Sequence, residues 1–205
     1  MTFLTKDEKE RIAEAVRQAE MRTSGELVTV IAKRSDNYAL TPWIWATLLA
    51  LMLPGFLQLF DGRAPFVSVY ISQVTLFVAM LLLLQWQPFK MRLVPKAVKR
   101  AYARRLAREQ FFMQRLHLTR ERTGVLIFVS VAEHYVEVLA DEGIHKAVPV
   151  DAWHGVVARF IARVKSGKTA DGFIEAIEAC GDYLAEHFPP RPDDTNELPN
   201  ALVEI

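Results

Sequence analysis

The sequence predicts an α/β fold in which a small mixed β-sheet is flanked by helices and interrupted by a two-helix transmembrane hairpin. Strand-like apolar runs at 26–35 and 124–131 alternate with helical patterns. Two adjacent uncharged segments are long enough to cross a bilayer. The soluble parts on either side offer too few elements to fold separately, but together they amount to about 130 residues, an ordinary domain size.

The composition excludes several classes of protein. The 205 residues carry a formal net charge of +1, which argues against a globally basic nucleic-acid binder. Cys180 is the single cysteine, so an intrachain disulfide and a cysteine-based structural zinc site are both excluded. The first 16 residues are too highly charged to resemble a signal peptide.

The first segment, 1–38, predicts one helix followed by one strand. Thr5 and Glu8 have the spacing of a capping box, in which each side chain accepts a hydrogen bond from the backbone of the other residue. Apolar residues then recur at helical spacing until Gly25. The run ELVTVIAKRS, 26–35, is rich in β-branched residues and predicts a strand.

The next segment, 39–88, predicts a membrane hairpin. Its spans, 39–60 and 65–86, each contain 22 residues and no charge, whereas about 20 apolar residues suffice to cross the hydrocarbon core. A tight polar turn is expected at 61–64. The alternative is a buried pair of soluble helices, but a core helix of this length rarely lacks a polar face.

A basic segment follows the second span. It contains eight basic residues and no acidic one between 90 and 108. Because cytoplasmic loops carry an excess of Lys and Arg, we expect both termini to be cytoplasmic and the turn between the spans to be external. The position beside the membrane favours anionic lipid headgroups over nucleic acid as the partner. The residues predicted to contact headgroups are Lys90, Arg92, Lys96, Lys99 and Arg100.

The segment 89–189 is predicted to complete the sheet. A basic helix is expected over 95–117, and the continuous apolar run at 124–131 is typical of a strand buried on both faces. A short turn leads into a returning strand at 135–141.

Two helices and a tail are predicted to end the chain. Asp151 is expected to cap the first helix. The second helix carries one apolar face, formed by Phe173, Ile177, Cys180 and Leu184. Several prolines forbid its continuation, and residues 190–205 are expected to be mobile.

Four motifs resemble the TPM domain family. They are TSGELVTVIAKRSDNY, TGVLIFVSVAEHYVEVLADEGI, the tryptophan at 153 and the closing YLAEHFP. The family includes thylakoid-lumen acid-phosphatase-like proteins, photosystem II repair factors and many bacterial membrane proteins. The resemblance covers about 1–38 and 100–189, and it implies a small sheet between helices. An internal hairpin departs from the family plan, in which membrane helices usually lie at the chain ends.

The resemblance also implies two kinds of activity. Phosphatase activity and divalent-cation binding are attributed to some members of the family, and protein quality control or complex assembly to others. At Asp141 the resemblance implies a functional site, and a catalytic role for this residue is one of our predictions.

The order of the strands predicts where Asp141 lies. Strand 26–35 must run towards the membrane, because the first span follows it. Strand 135–141 runs away, so Asp141 should lie at the membrane-distal edge, together with Glu26 and Thr123. Seven residues of strand place it roughly 20 Å from the turn that contains Glu133 and His134.

The carboxylates at this edge are candidate metal ligands. Asp141, Glu142 and Glu26 are predicted to hold a hard divalent cation, Ca²⁺ or Mg²⁺, through oxygen atoms, and His145 is a possible addition. The alternative is that Asp141, Glu142 and Gly143 form an ordinary solvated turn.

The recognised catalytic motifs do not occur. A haloacid-type phosphatase needs a second Asp two places beyond its nucleophile, where Gly143 follows Asp141. A cysteine phosphatase needs Arg six places beyond Cys180, where Glu186 stands. The leading hypothesis is therefore a bacterial inner-membrane protein, multi-pass with both termini cytoplasmic, that serves as a binding, assembly or quality-control module at the cytoplasmic face. Its expected partner is another membrane or cytoplasmic protein. The alternative is a divalent-cation-assisted, acid-phosphatase-like hydrolase that uses Asp141 and its neighbours.

Overall fold

A computed structural model describes residues 3–60, 65–193 and 196–205. The predicted polar turn at 61–64 lies outside the described residues. The elements in chain order are α1 Lys6–Glu20, β1 Glu26–Ala32, α2 Leu40–Phe60, α3 Phe66–Leu84, α4 Gln87–Leu93, α5 Lys96–Met113, β2 Gly124–Ser130, β3 Tyr135–Ala140, α6 Glu142–His145, α7 Val150–Lys165, α8 Thr169–His187 and β4 Val203–Glu204.

The chain divides into two compact units. The first contains residues 1–35 and 100–205, and the second contains residues 36–99. The first unit therefore receives β1 from one side of the insertion and all other strands from the other side.

The sheet of the first unit has the order β3-β2-β1-β4. Strands β1 and β2 are parallel over their full length, from Glu26 opposite Gly124 to Ala32 opposite Ser130. Strands β2 and β3 are antiparallel, because a short turn joins them. The predicted α/β fold with a small mixed sheet is confirmed.

Helices cover both faces of this sheet. On one face, apolar side chains of β1 and β2 pack with α1, α7 and α8 around the buried Phe160 and Phe173. On the other face, Val28, Val30 and Phe128 pack with Ala107 and Phe111 of α5. All seven residues of β1 and all seven of β2 are buried, as expected for central strands covered on both sides.

The start of α1 agrees with the prediction, whereas that of α7 does not. The Thr5 N–H donates to Glu8 Oε2 at 2.7 Å, and the Glu8 N–H donates to Thr5 Oγ1 at 3.2 Å, which completes the capping box. The prediction that Asp151 caps α7 is wrong, because α7 begins at Val150 with Pro149 in the cap position. Proline supplies the starting geometry through its fixed φ, and Asp151 lies in the first turn.

Part of the final segment, which is predicted to be mobile, joins the sheet. Val203 and Glu204 form β4, which pairs in parallel with Val30 and Ile31 of β1. The edge of β1 offers backbone donors and acceptors that an additional strand can satisfy, which explains why these residues can pair there.

The second unit contains two long apolar helices. The segments Leu40–Leu59 and Phe66–Leu84 have mean hydropathies of 1.6 and 2.2, and by length and composition each suffices to cross a membrane. Only 17% and 6% of their most apolar windows are buried, which is unlike the core helices of a soluble protein. The rings of Trp43 and Phe77 contact each other between them, with centroids 6.2 Å apart.

Candidate functional site

Asp141 lies where β3 ends and α6 begins. Its backbone N–H donates to Gly124 O at 2.9 Å, and its Oδ1 accepts the Glu142 N–H at 2.8 Å as the cap of α6. The Arg122 guanidinium contacts both carboxylate oxygens, with Nη2–Oδ1 at 3.0 Å and Nε–Oδ2 at 2.7 Å. Such two-point contacts orient a carboxylate strongly, so the Asp141 side chain is committed to a cap and an ion pair.

Gly143 allows two backbone segments to approach closely. Its N–H donates to Arg122 O at 3.1 Å. A Cβ at this position would lie only 2.7 Å from Arg122 O, and closer still to Glu121 O. The sequence Asp141-Glu142-Gly143 therefore combines a helix cap, an exposed acid and a position where a side chain has no room.

The three predicted cation ligands are not arranged as one site. The sheet register brings Glu26 and Asp141 to the same edge on either side of Gly124, about 10 Å apart across two strand spacings. The carboxylate of Glu142 is exposed and pairs with Lys146 at 3.1 Å. Among the described residues, no group of three or more His, Cys, Asp or Glu side chains is placed to hold a metal ion.

A divalent cation at Asp141 would have to displace the Arg122 guanidinium, because the Asp141 oxygens contact this guanidinium and a backbone N–H. His145 is exposed. The cation site and the catalytic role of Asp141 stay predictions.

Glu26 forms a pair with a second carboxyl group, that of Glu20, which the sequence does not reveal. Glu20, at the end of α1, accepts the Leu27 N–H at 3.0 Å. Burial, opposed by this hydrogen bond and assisted by the neighbouring Glu26, raises the pKa of Glu20 to about 8. Both members also contact the final segment, because Glu26 Oε1 accepts the Glu197 N–H at 3.0 Å and the Asn200 amide donates to Glu20. Only the fold brings these distant segments together.

At the opposite edge, a polar network connects β1 to the turn after β2. The Ser35 hydroxyl donates to Ser130 Oγ at 2.8 Å, and the Ser35 N–H donates to Glu133 Oε2 at 3.1 Å. The Ser130 hydroxyl also donates to Glu133. Ser130 and Glu133 are buried, whereas His134 is exposed. The network holds the turn against the end of β1.

An apolar cavity of about 370 Å³ opens beside this network. Its inner wall contains the buried side chains of Ile31, Val129 and Phe160, and its rim includes Ile161 and Lys165. The cavity lies at the carboxyl ends of β1 and β2, where open α/β sheets commonly bind ligands. Its size is within the range of roughly 300–1,000 Å³ that is typical of ligand pockets.

Cys180 is part of the core. It is fully buried in α8, and burial raises the pKa of its thiol to about 12. A thiol with this pKa is protonated at neutral pH and does not act as a nucleophile.

The predicted headgroup contacts lie in different environments. The side chain of Lys90 is buried, and its Nζ donates to Asn37 O at 2.8 Å. Its ammonium is therefore directed at the protein backbone, which the sequence pattern did not indicate. Arg92, Lys96 and Arg100 are exposed, and Lys99 is half-buried. Headgroup contact stays a prediction for these four residues.

A mixed four-stranded sheet with helices on both faces, and with carboxylates at one edge, defines a small three-layer α/β domain. Residues 91–183 match the family model of the TPM domain, which confirms the resemblance that the sequence motifs predicted. The NMR structure of BA42 protein from the psychrophilic bacterium Bizionia argentinensis is similar, with a TM-score of 0.64 and 22% sequence identity over 100% of this chain and 97% of that chain. That similarity shows the fold. None of the curated proteins matches the sequence.

Replacing Asp141 with Asn should reduce the free energy of unfolding by about 1–2 kcal/mol, because the ion pair with the half-exposed Arg122 is lost while the cap acceptor is kept. Urea unfolding of the full-length protein in mild detergent measures this loss. Glu142→Gln removes an exposed charge and should change stability by less than about 0.5 kcal/mol. In an Arg122→Ala background Asp141→Asn should cost much less; an equal cost there would contradict the proposed coupling.

Proposed function

We propose that this TPM-domain protein is anchored in the bacterial inner membrane by α2 and α3, and that its α/β unit serves there as a binding, assembly or quality-control module. Two uncharged helices and the basic residues that follow them support the anchor and a cytoplasmic α/β unit. The bilayer and another membrane or cytoplasmic protein are the proposed partners.

The apolar cavity at the carboxyl ends of β1 and β2 carries the proposal of a binding role. It presents aliphatic and aromatic surface that suits the apolar side chain of a bound partner. The polar groups most suggestive of catalysis are already engaged elsewhere: Asp141 contacts Arg122, and the Cys180 thiol lies in the core. Binding is therefore the chemistry that this unit supports best.

A photo-crosslinking residue at Ile161, on the rim of the cavity, tests the binding role. In native membranes it should form an adduct with a partner protein. The matched control is the same crosslinker at His154, on the same helix, where the side chain is 75% exposed. Absence of an adduct at both positions, or equal adducts at both, would contradict the role of the cavity.

The competing hydrolase function predicts metal-dependent phosphatase turnover by the purified protein. We expect that the purified protein has no metal-dependent phosphatase turnover that depends on Asp141. Metal-dependent turnover lost in Asp141→Asn, but kept in Glu142→Gln, would overturn the binding proposal in favour of hydrolysis.

Cysteine labelling in intact cells tests the membrane topology. Asp61→Cys should react with a membrane-impermeant maleimide from outside, whereas Glu142→Cys should react only after the cells are opened. The native Cys180 stays in place, since its burial and a thiol pKa of about 12 keep it unreactive. Labelling of both introduced cysteines from the same side would refute the hairpin.

A further inference from the structure

We propose that the outer edge of β1 is a docking site for an extended segment of a partner protein, and that residues 196–205 occupy this edge until the partner arrives. The inference deepens the proposed binding role by stating how a partner attaches. It rests on the contacts of the final segment with the first unit, and it does not depend on the apolar cavity.

The final segment covers only part of the available edge. On its inner side β1 pairs with β2 through seven residue pairs, but on its outer side it pairs with β4 through two, Val30 with Val203 and Ile31 with Glu204. Two further hydrogen bonds extend the pairing, from Lys33 N to Ile205 O at 2.7 Å and from Ile205 N to Ile31 O at 3.0 Å. A partner strand that paired along all of β1 would form more backbone hydrogen bonds than the chain's own segment.

The segment is also held by partly buried side chains. Leu198 and Val203 pack on one face of the sheet and Leu202 on the other, and all three remain partly exposed. Glu204 forms an ion pair with Lys9 at 2.8 Å. A segment with few buried apolar contacts opens more readily than the core strands of the same domain.

The carboxyl groups of Glu20 and Glu26, which lie next to this edge, determine which segments can bind there. Glu26 accepts the backbone N–H of Glu197, and Glu20 accepts the side-chain amide of Asn200. Both carboxyl groups are largely buried, so an occupant that offers no donor there would leave an acceptor unsatisfied. The expected partner segment has an aliphatic residue at the position of Leu198 and Asn at the position of Asn200. After one spacer residue it has two aliphatic residues and then an acidic residue, as in Leu202, Val203 and Glu204.

A second copy of this chain is the less favourable occupant. Its final segment has the same sequence, so it would make the same contacts as the internal segment while losing the advantage of being tethered. A partner segment that pairs with more residues of β1, or whose side chains fit the same positions more closely, should bind this edge more tightly than the internal segment does.

A peptide titration on the full-length protein in detergent tests this inference. The probe is a fluorescent peptide with the sequence of 196–205, NELPNALVEI. It should bind at least about tenfold more tightly to Asn200→Ala/Val203→Asp, whose internal segment is weakened, than to the wild type. A control peptide with Ala in place of Asn at the position of Asn200 should bind at least about tenfold more weakly than the probe.

Two outcomes of the titration overturn the proposal. One is equal binding of the probe and the control peptide, or binding of neither. The other is dimerisation of the wild type by light scattering, because the intact final segment of a second copy would then be the occupant. Neither measurement depends on the membrane topology or on the cavity, so this inference and the proposed function can fail separately.

Hydrogen exchange of the wild type tests the opening of the final segment without the variant. The backbone N–H of Ile205 should exchange at least about 100-fold faster than the amides of β2, because the final segment opens without unfolding the sheet. Exchange of Ile205 at the rate of β2 would show that the segment does not open separately, and would overturn the proposal.

Discussion

Replacing Gly143 with alanine should destabilise the α/β unit by about 3 kcal/mol. The new Cβ would lie 2.7 Å from Arg122 O and even closer to Glu121 O. Both are backbone atoms, so no side-chain rotation relieves the overlap. The Asp141–Arg122 ion pair and the hydrogen bond from Gly143 N to Arg122 O belong to the same turn, and they must shift with it. Urea unfolding of the full-length protein, followed by near-UV circular dichroism, measures the loss.

Gly155→Ala is the matched control for this experiment. Gly155 lies inside α7, and a Cβ at this position would lie 3.7 Å from Arg159 Nη1, which is an ordinary contact distance. Alanine is favoured over glycine inside a helix, so this variant should be more stable than the wild type by about 0.5–1 kcal/mol. If Gly143→Ala and Gly155→Ala had the same effect, close backbone approach would not explain Gly143.

Replacing Glu20 with glutamine should stabilise the protein at alkaline pH. Burial raises the pKa of Glu20 from 4.5 to about 8, so the folded state favours the protonated form. The stability that this group contributes is complete below about pH 4.5 and is lost as the pH rises to about 8, because the folded state binds more protons than the unfolded state in that window.

The neutral side chain of Glu20→Gln should remove this decline. It keeps an oxygen to accept the Leu27 N–H and offers an amide donor to Glu26. The Asn200 side chain must turn its amide oxygen towards the new nitrogen, because Oε2, which accepts the Asn200 amide, is replaced. We expect the variant to match the wild type near about pH 5 and to exceed it by on the order of 2–4 kcal/mol near about pH 9. Urea unfolding across this pH range measures the difference.

Glu10→Gln is the control for the pH experiment. It removes a carboxyl group from an exposed position on the same helix, where Glu10 pairs with Lys6 at 3.7 Å. This variant should follow the pH dependence of the wild type, with a stability change below about 0.5 kcal/mol. A wild-type stability that rises between about pH 5 and pH 8 would show that Glu20 is not the dominant group in this window.

The elements that were predicted correctly are those with strong local patterns. The β-branched run of β1 predicted a strand, the continuous apolar run of β2 predicted a strand buried on both faces, and the structure shows both strands. The spacing of Thr5 and Glu8 predicted a capping box. The apolar spacing of α8 placed Cys180 in the core. Each prediction depends on residues within one element, where spacing along the chain largely determines which face a side chain occupies.

The candidate sites were predicted less completely, because their partners come from other parts of the chain. The order of the strands was sufficient to place Glu26 and Asp141 at one edge, since parallel pairing of β1 with β2 fixes their alignment. It did not indicate that Arg122, 19 residues before Asp141, contacts both carboxylate oxygens. It also did not show that Lys90, within a basic segment, is buried against a backbone carbonyl.

The sequence by itself determined the α/β class, the apolar helices and the edge of the sheet at which the carboxylates lie. Hydrophobic periodicity and strand order are properties of the chain that need no coordinates. Only the tertiary structure decided the protonation of Glu20, the ion pair of Asp141 and the addition of β4 to the sheet. Desolvation and hydrogen bonding depend on which distant groups surround a side chain, and that environment exists only after the chain has folded.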